Sequence, residues 1–330
     1  MQRITVIGGG AWGTALAQTI ASGGRDATLW ARDPDVVAAV NDNHENPDYL
    51  AGVTLDARIR ATADLATAGA ADLILLVTPA QKLREVSADL APHVTAGTPL
   101  VICAKGIEQA RDALMSEALA ETMPDAPVAV LSGPTFAIEV ARGLPTAVTL
   151  ACADEKLGDA IVAAIGRPTF RPYLTDDVVG AQIGGAIKNV IAIACGIVEG
   201  RQLGDNARAA LMTRGLAEIM RFGRARGARP ETLMGLSGLG DLTLTCNSDT
   251  SRNMSLGIAL GEGQRLDEFI AGRRSVAEGL HTASAVTAAA RKLDIEMPIC
   301  TAVDGVVNHW ADIGATIEGL LSRPFKSESV

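Results

Sequence analysis

The stretch Arg3–Ser22, RITVIGGGAWGTALAQTIAS, decides the fold. Its first residues, Arg3–Ile7, alternate into an apolar strand, and Gly8-Gly9-Gly10-Ala11-Trp12-Gly13 follows at once as G-x-G-x-x-G. From Thr14 to Ser22 the chain continues in a helical pattern. The glycines have separate reasons: a tight turn, close backbone approach to a pyrophosphate, and close helix–strand packing. The N-terminus of the helix then receives the negative charge. The motif alone is weak. A strand before it and a helix after it are the context that makes it a dinucleotide turn.

Working outward, the next strand, Ala27–Trp30, ends at Ala31-Arg32-Asp33, close to the expected spacing of about 20 residues from the glycines. An acid at this tip binds a ribose 2′-hydroxyl, whereas an arginine favours a 2′-phosphate. Arg32 points toward NADP(H), and Asp33 leaves NAD(H) open. Asp33-Pro34 also reads as an ordinary helix start. Three further apolar runs lead into loops: Asp72–Thr78 into Pro79, Pro99–Ala104 into Lys105-Gly106, and Pro127–Leu131 into Ser132-Gly133-Pro134-Thr135. Short continuous apolar runs alternating with helical stretches indicate a parallel sheet buried on both faces. Ligands bind beyond the carboxyl ends of such strands. Lys105 falls there, either to meet an anionic or carbonyl-bearing ligand or as a solvent-facing turn residue. Thr146–Cys152 and Thr169–Leu174 extend the sheet.

After Thr175-Asp176-Asp177 the strand signals stop. The expected architecture is an α/β, Rossmann-like doubly wound domain over residues 1–178 and an all-α domain over 179–330. The second half opens on Ala181–Gly200, AQIGGAIKNVIAIACGIVEG, long, apolar and holding Lys188 beside Asn189. On a helix, Gly184 and Gly185 flank Lys188, and their missing side chains leave room for a flat ligand. Each costs roughly 1 kcal/mol relative to alanine. Lys188 is open to two readings: a stem snorkelling to the surface, or a desolvated proton donor whose pKa burial has lowered. Asn206–Arg226, His281–Leu293 and Ile299–Trp310 are further helix candidates. Gly235–Leu242, GLSGLGDL, reads as a glycine-rich loop carrying Asp241. The polar loop Thr245–Asn253 leads to a short helix near Met254–Leu260. Ser251, Arg252 and Asn253 there offer one anion a hydroxyl, a guanidinium and backbone N–H groups. The alternative is an N-cap at Ser251 with an exposed arginine.

Composition narrows the class. The chain has 330 residues, enough for two cores, and is 48% hydrophobic but only 3% aromatic, so Ala, Val, Leu and Ile build those cores. A net charge of −9 argues against nucleic acid or an anionic membrane as partner. The run Val178–Val198 approaches membrane-spanning length, but Gln182, Lys188 and Asn189 interrupt it, so a buried core helix is expected and no integral membrane segment. Met1-Gln2-Arg3 leads straight into a strand, so no signal peptide is expected. Five widely spaced cysteines fit reduced core residues of a cytoplasmic protein. The four histidines have no metal-ligand spacing, so no metal is expected.

The chain resembles the bacterial-type NAD(P)-dependent glycerol-3-phosphate dehydrogenases nearly end to end. The carriers are GGGAWGTALA (Gly8–Ala17), KGIE (Lys105–Glu108), SGPTFAIEV (Ser132–Val140), GGAIKNVIAI (Gly184–Ile193) and NARAALMTRGLAE (Asn206–Glu218). GLSGLGDLTLTC (Gly235–Cys246), SRN (Ser251–Asn253) and VAEG (Val276–Gly279) complete the set. The resemblance implies reversible reduction of dihydroxyacetone phosphate to sn-glycerol 3-phosphate for phospholipid synthesis, by a homodimer using NADP(H) or NAD(H). It implies Lys188 as catalytic acid/base, with Lys105, Gly133, Thr135, Lys188, Asp241, Ser251, Arg252 and Asn253 contacting substrate. Gly8, Gly10, Ala11, Trp12, Gly13, Arg32, Lys105, Ala137, Arg252, Val276 and Glu278 would contact the cofactor. Family members often carry Ser at the position of Ala11, so one hydroxyl contact to the phosphates is missing here. Two rival readings remain: a reductase of the same architecture acting on a hydroxy acid, and a non-catalytic NADPH sensor.

Overall fold

Ten strands appear in the computed structural model, which describes residues 1–271, 277–325 and 327. They are β1 (Arg3–Ile7), β2 (Asp26–Trp30), β3 (Arg60–Thr62), β4 (Leu73–Leu76), β5 (Leu100–Ile102), β6 (Ile107–Glu108), β7 (Ala113–Leu114), β8 (Val128–Ser132), β9 (Thr146–Cys152) and β10 (Phe170–Thr175). Eight form one sheet in the order β10-β9-β8-β5-β4-β1-β2-β3, and β6 pairs with β7 as a separate hairpin. β4, with the sequence LILL, is buried at every residue, as a strand covered on both faces requires. The helices Ala11–Ser22, Ala137–Ala141 and Glu155–Ile165 pack as one group, and Leu65–Gly69, Leu83–Leu90 and Met115–Thr122 as another. Right-handed crossovers that wind out from β1 in one direction and from β4 in the other produce such a pair of groups. The order reverses between β1 and β4, where doubly wound sheets bind ligands.

The sheet departs from the expected parallel one at a single junction. β8 and β9 pair antiparallel, with Ala129 opposite Cys152, and every other neighbouring pair is parallel. β3 was not expected at all: Arg-Ala-Thr is too short to show an apolar run.

The chain divides into two compact units, Met1–Ala104 with Met115–Val178, and Lys105–Leu114 with Val179–Val330. The expected uninterrupted stretch 1–178 therefore loses ten residues to the second unit. Ile107 and Leu114 explain this, because both are buried in the helical unit's core, 1% and 2% exposed. Each unit has its own apolar core.

In the helical unit the helix Val178–Gly200 is buried continuously from Gly180 to Val198. Among the described residues it alone is long and apolar enough to cross a membrane, and 94% of its most apolar window is buried inside the fold. Its glycines are packing devices. A Cβ on Gly196 would sit 2.7 Å from Gly257 Cα, and one on Gly200 would sit 3.0 Å from Gly261 Cα. Gly-x-x-x-Gly on this helix thus meets Gly-x-x-x-Gly on the helix Arg252–Gly261, backbone against backbone. Close contact offsets the helix-propensity cost of the glycines. Elsewhere, the buried Glu218 accepts the N–H groups of Ile299 (2.6 Å) and Cys300 (3.1 Å), capping the helix Pro298–His309. The stretch read as the loop Gly235–Leu242 is helical instead: a wide π-type turn, Leu236–Gly240, leads directly into the helix Asp241–Cys246. Glycine content hid it.

Candidate active site

In the first unit the glycine turn closes as its residues require. Gly8 has φ +131°, and a Cβ there would lie 2.7 Å from the Val77 carbonyl oxygen. A Cβ on Gly13 would run into the Gly8 carbonyl oxygen. Gly10, the N-cap of the helix Ala11–Ser22, differs: a Cβ there meets nothing within 4 Å. The protein's own packing excludes side chains at Gly8 and Gly13, while Gly10 leaves open space at the start of the helix. A dinucleotide pyrophosphate fits that cradle. Asn46, 1% exposed, secures the turn by donating to the Gly9 carbonyl (2.9 Å) and Thr14 Oγ1 (2.8 Å). Trp12 packs against Phe170 with ring centroids 6.5 Å apart, and its buried indole N–H finds no partner among the described residues. Ala11 opens the helix with no hydroxyl.

At the tip of β2 the two charged residues separate in role. Asp33 is the N-cap of Pro34–Ala38 and accepts the Asp35 N–H at 3.0 Å. Arg32 is exposed and is left as the group facing outward. Past β8, Gly133 has φ +145°, Thr135 Oγ1 donates to the Gly133 carbonyl at 3.2 Å, and Ala137 begins a short helix.

The second unit gathers the charged residues. Lys188, on the long buried helix, donates to Asp241 Oδ1 at 2.7 Å and to Thr245 Oγ1 at 2.6 Å. Thr245 in turn donates to the Asp241 backbone carbonyl at 2.6 Å. Lys105 reaches Asp241 Oδ2 at 2.7 Å. One carboxylate, its side chain 1% exposed, thus bridges two lysines whose side chains are 8% and 17% exposed. Two cations against one carboxylate leave net positive charge in a buried place. The ammonium of Lys188 has three N–H groups; two are spent, and no described residue takes the third. Burial pulls the Lys188 pKa down to about 8, Asp241 opposes that fall, and Lys105 adds to it. Burial wins, which settles the choice that the sequence left between a snorkelling and a desolvated lysine. The neighbouring Cys246 thiol is pushed far up by its hydrogen bond with Cys195 and by burial, so it adds no charge.

Two expectations change with the coordinates. Gly184 leaves no room for a flat ligand, since a Cβ there would lie 2.5 Å from the Ser237 carbonyl oxygen; the π-type turn fills that space. The trio Ser251, Arg252 and Asn253 does not present three free groups. Ser251 Oγ caps its helix by accepting the Met254 N–H at 3.2 Å. Asn253 donates to Asn189 Oδ1 and accepts the Gly279 N–H, both at 3.0 Å. Arg252 stays exposed with no hydrogen bond among the described residues. Glu278 sits at the N-cap of Gly279–Lys292, and Val276 lies outside the described residues. Thr245 is the residue that sequence reasoning missed. Four residues after Asp241 on one helix, it shares Asp241's face, a signal visible once Asp241 is read as helical rather than as loop. Among the described residues no cluster of three or more metal-ligating side chains occurs.

A dinucleotide-type sheet in one unit and a buried lysine–aspartate–lysine set in the other are the equipment of a two-domain nicotinamide-dependent oxidoreductase. Comparison with known proteins narrows that class. The family model described as the NAD-dependent glycerol-3-phosphate dehydrogenase N-terminus matches residues 3–158, and that of the C-terminus matches residues 177–318. A glycerol-3-phosphate dehydrogenase [NAD(P)+] of Rhodospirillum rubrum is 62% identical over 99% of this chain and 94% of its own length. That of Parvibaculum lavamentivorans is 60% identical over 99% and 98%. The crystal structure of glycerol-3-phosphate dehydrogenase from Coxiella burnetii superposes with a TM-score of 0.93 at 38% identity, covering 97% of this chain and 98% of that one. The chain belongs to the NAD-dependent glycerol-3-phosphate dehydrogenase family.

Proposed function

We propose that this chain catalyses the reversible NAD(P)H-dependent reduction of dihydroxyacetone phosphate to sn-glycerol 3-phosphate. The observation that carries the mechanism is the unspent N–H of Lys188 on an ammonium whose pKa is about 8. When bound, the reduced nicotinamide supplies a hydride to the ketone carbon. The carbonyl oxygen gains negative charge in that step and needs a proton at that moment. Lys188 supplies it, and does so near neutral pH because burial has lowered its proton affinity. Lys105 adds positive potential at the same oxygen. Asp241 and Thr245 hold the ammonium in one orientation, so its free N–H is pre-aimed. In the reverse direction the neutral amine of Lys188 takes the hydroxyl proton.

Arg252 and the N–H groups of its helix start are suited to the substrate phosphate, with Ser251 and Asn253 shaping that corner and Gly133 and Thr135 completing the substrate contacts. The cofactor reading assigns Gly8, Gly10, Gly13, Ala11 and Trp12 to the pyrophosphate turn. Arg32 then meets a 2′-phosphate, and Ala137, Val276 and Glu278 meet the rest of the dinucleotide. Asp33's engagement as a cap supports a lean toward NADPH. Residues 1–178 serve as the cofactor domain and 179–330 as the substrate domain, with Lys105 joining the latter. Family resemblance supports a cytoplasmic homodimer that feeds phospholipid synthesis. Initial rates of dihydroxyacetone phosphate reduction, with NADPH and NADH side by side, test the reading. Turnover with a preference for NADPH is expected; binding of NADPH without turnover on this substrate would sink it.

A further inference from the structure

We propose that the β6–β7 hairpin is a latch that sets Lys105 on Asp241, with Gln109, Asp112, Ser284 and Lys292 as positioning residues. The proposal rests on the reading of Lys188, Asp241 and Lys105 as the proton-transfer set. Only Gly106 separates Lys105 from Ile107, so where the hairpin lies fixes where the lysine starts. The base of the hairpin is held by apolar burial, with Ile107 and Leu114 both in the helical core. Its far side makes polar contacts to the helix Gly279–Lys292. Gln109 Nε2 donates to Ser284 Oγ at 2.6 Å, and Lys292 Nζ donates to Asp112 Oδ2 at 2.6 Å. Ser284 and Lys292 are eight residues apart, about 12 Å along a helix, so the contacts fix the hairpin's direction as well as its place. Asp112 adopts φ 55°, a left-handed conformation that Asp tolerates better than most residues.

The same helix is tied to the Lys188 side. Its first N–H, at Gly279, donates to Asn253, whose amide donates to Asn189 beside Lys188. Lys188 and Lys105 therefore reach the two oxygens of Asp241 from one shared reference, the Gly279–Lys292 helix. Without the latch, the backbone at Lys105 is joined to the hairpin through a glycine, which tolerates many conformations.

In the Lys292–Asp112 pair the lysine side chain is 69% exposed and the aspartate side chain 13%, and a pair with one partner in solvent contributes modest stability. Removing the latch thus leaves the fold in place. The test is the double variant Gln109→Ala with Lys292→Ala, read against Lys105→Ala and Lys292→Arg. The groups facing Lys188 are Asp241 and Cys246 on their shared helix and Lys105 just before the hairpin. Loss of positive charge from Lys105's place raises the proton affinity of Lys188. The alkaline midpoint of kcat/KM for dihydroxyacetone phosphate reduction therefore moves up in Lys105→Ala. The latch variant is expected to move it in the same direction by less, with kcat several-fold lower, Tm within a few degrees of wild type, and Lys292→Arg close to wild type. A latch variant with wild-type midpoint and kcat, while Lys105→Ala moves the midpoint, overturns the latch and leaves the site reading standing. A midpoint unmoved by Lys105→Ala removes the reading on which the latch depends.

Discussion

Gly10 in the first unit and the glycines of the long buried helix and its partner in the second serve opposite purposes. In the first, the turn at Gly8–Gly13 encloses a position, Gly10, where a side chain would touch nothing of the protein. In the second, Gly184, Gly196, Gly200, Gly257 and Gly261 each abut neighbouring backbone, and a Cβ on any of them would collide. Open space at Gly10, a helix N-cap with φ −75°, leaves an approach to that helix start; filled space at the five helix glycines marks where the protein approaches itself. The chemistry follows that division. In the reading proposed above, the first unit offers backbone N–H groups to a cofactor, while the second uses close helix contact to bury a lysine and lower its pKa.

The largest expected effect lies at the buried lysine. Lys188→Ala keeps the fold, since Asp241 retains Lys105 as its partner, and turnover falls by about 10²–10⁴, the range for losing a positioned proton donor. Steady-state rates beside a far-UV CD spectrum check this, and near-wild-type rates would contradict it. Asp241→Ala leaves the buried Lys188 and the part-buried Lys105 without this carboxylate and costs about 3–5 kcal/mol of stability, measured by urea unfolding. Cofactor affinity read in the folded state should be little changed.

A smaller pair of variants sharpens the glycine contrast. Gly257→Ala forces a methyl between two helix backbones, where a Cβ would sit 2.8 Å from Gly196 Cα, and overpacking of this kind costs about 1–3 kcal/mol. Gly10→Ala, with φ −75° and free space, leaves stability unchanged and weakens NADPH binding instead. Thermal unfolding and NADPH titration of both variants separate the two uses; a destabilised Gly10→Ala would erase the distinction. The smallest effect is at Arg32. Losing one charge-assisted contact to a 2′-phosphate, about 1.5–3 kcal/mol, lowers the NADPH:NADH ratio of kcat/KM by roughly tenfold or more in Arg32→Ala. An unchanged ratio would make Arg32 an ordinary charged turn.

The same contrast explains what the sequence made legible. The glycine turn is a local device: strand, turn and helix are contiguous from Arg3 to Ser22, so pattern and chemistry coincide in one window. The lysine site is assembled from distant residues, with Asp241 53 positions from Lys188 and 136 from Lys105. Sequence pattern could name those residues but not their mutual distances, nor decide whether burial or Asp241 controls the lysine. Thr245 was hidden because glycine-rich GLSGLGDL reads as loop, yet its π-type turn packs against Gly184 and is held helical by tertiary contact. The hairpin was hidden for another reason: strands of two residues carry no periodicity, and only the burial of Ile107 and Leu114 gives it away. The antiparallel entry of β9 left no trace either, because a buried strand reads the same in both directions.

The central claim is that Lys188 is the proton donor and that burial has lowered its pKa to about 8. The most direct test is the pH dependence of kcat/KM in both directions, which reports ionisation in the free enzyme. Ketone reduction requires the ammonium, so its kcat/KM should be level below about 8 and fall as pH rises through that value. Oxidation of sn-glycerol 3-phosphate requires the neutral amine, so its kcat/KM should rise through the same midpoint. Mirror-image limbs sharing one midpoint near 8 are what the structure predicts. Profiles that stay flat in both directions through this range, or a midpoint at the ordinary lysine value, would contradict it.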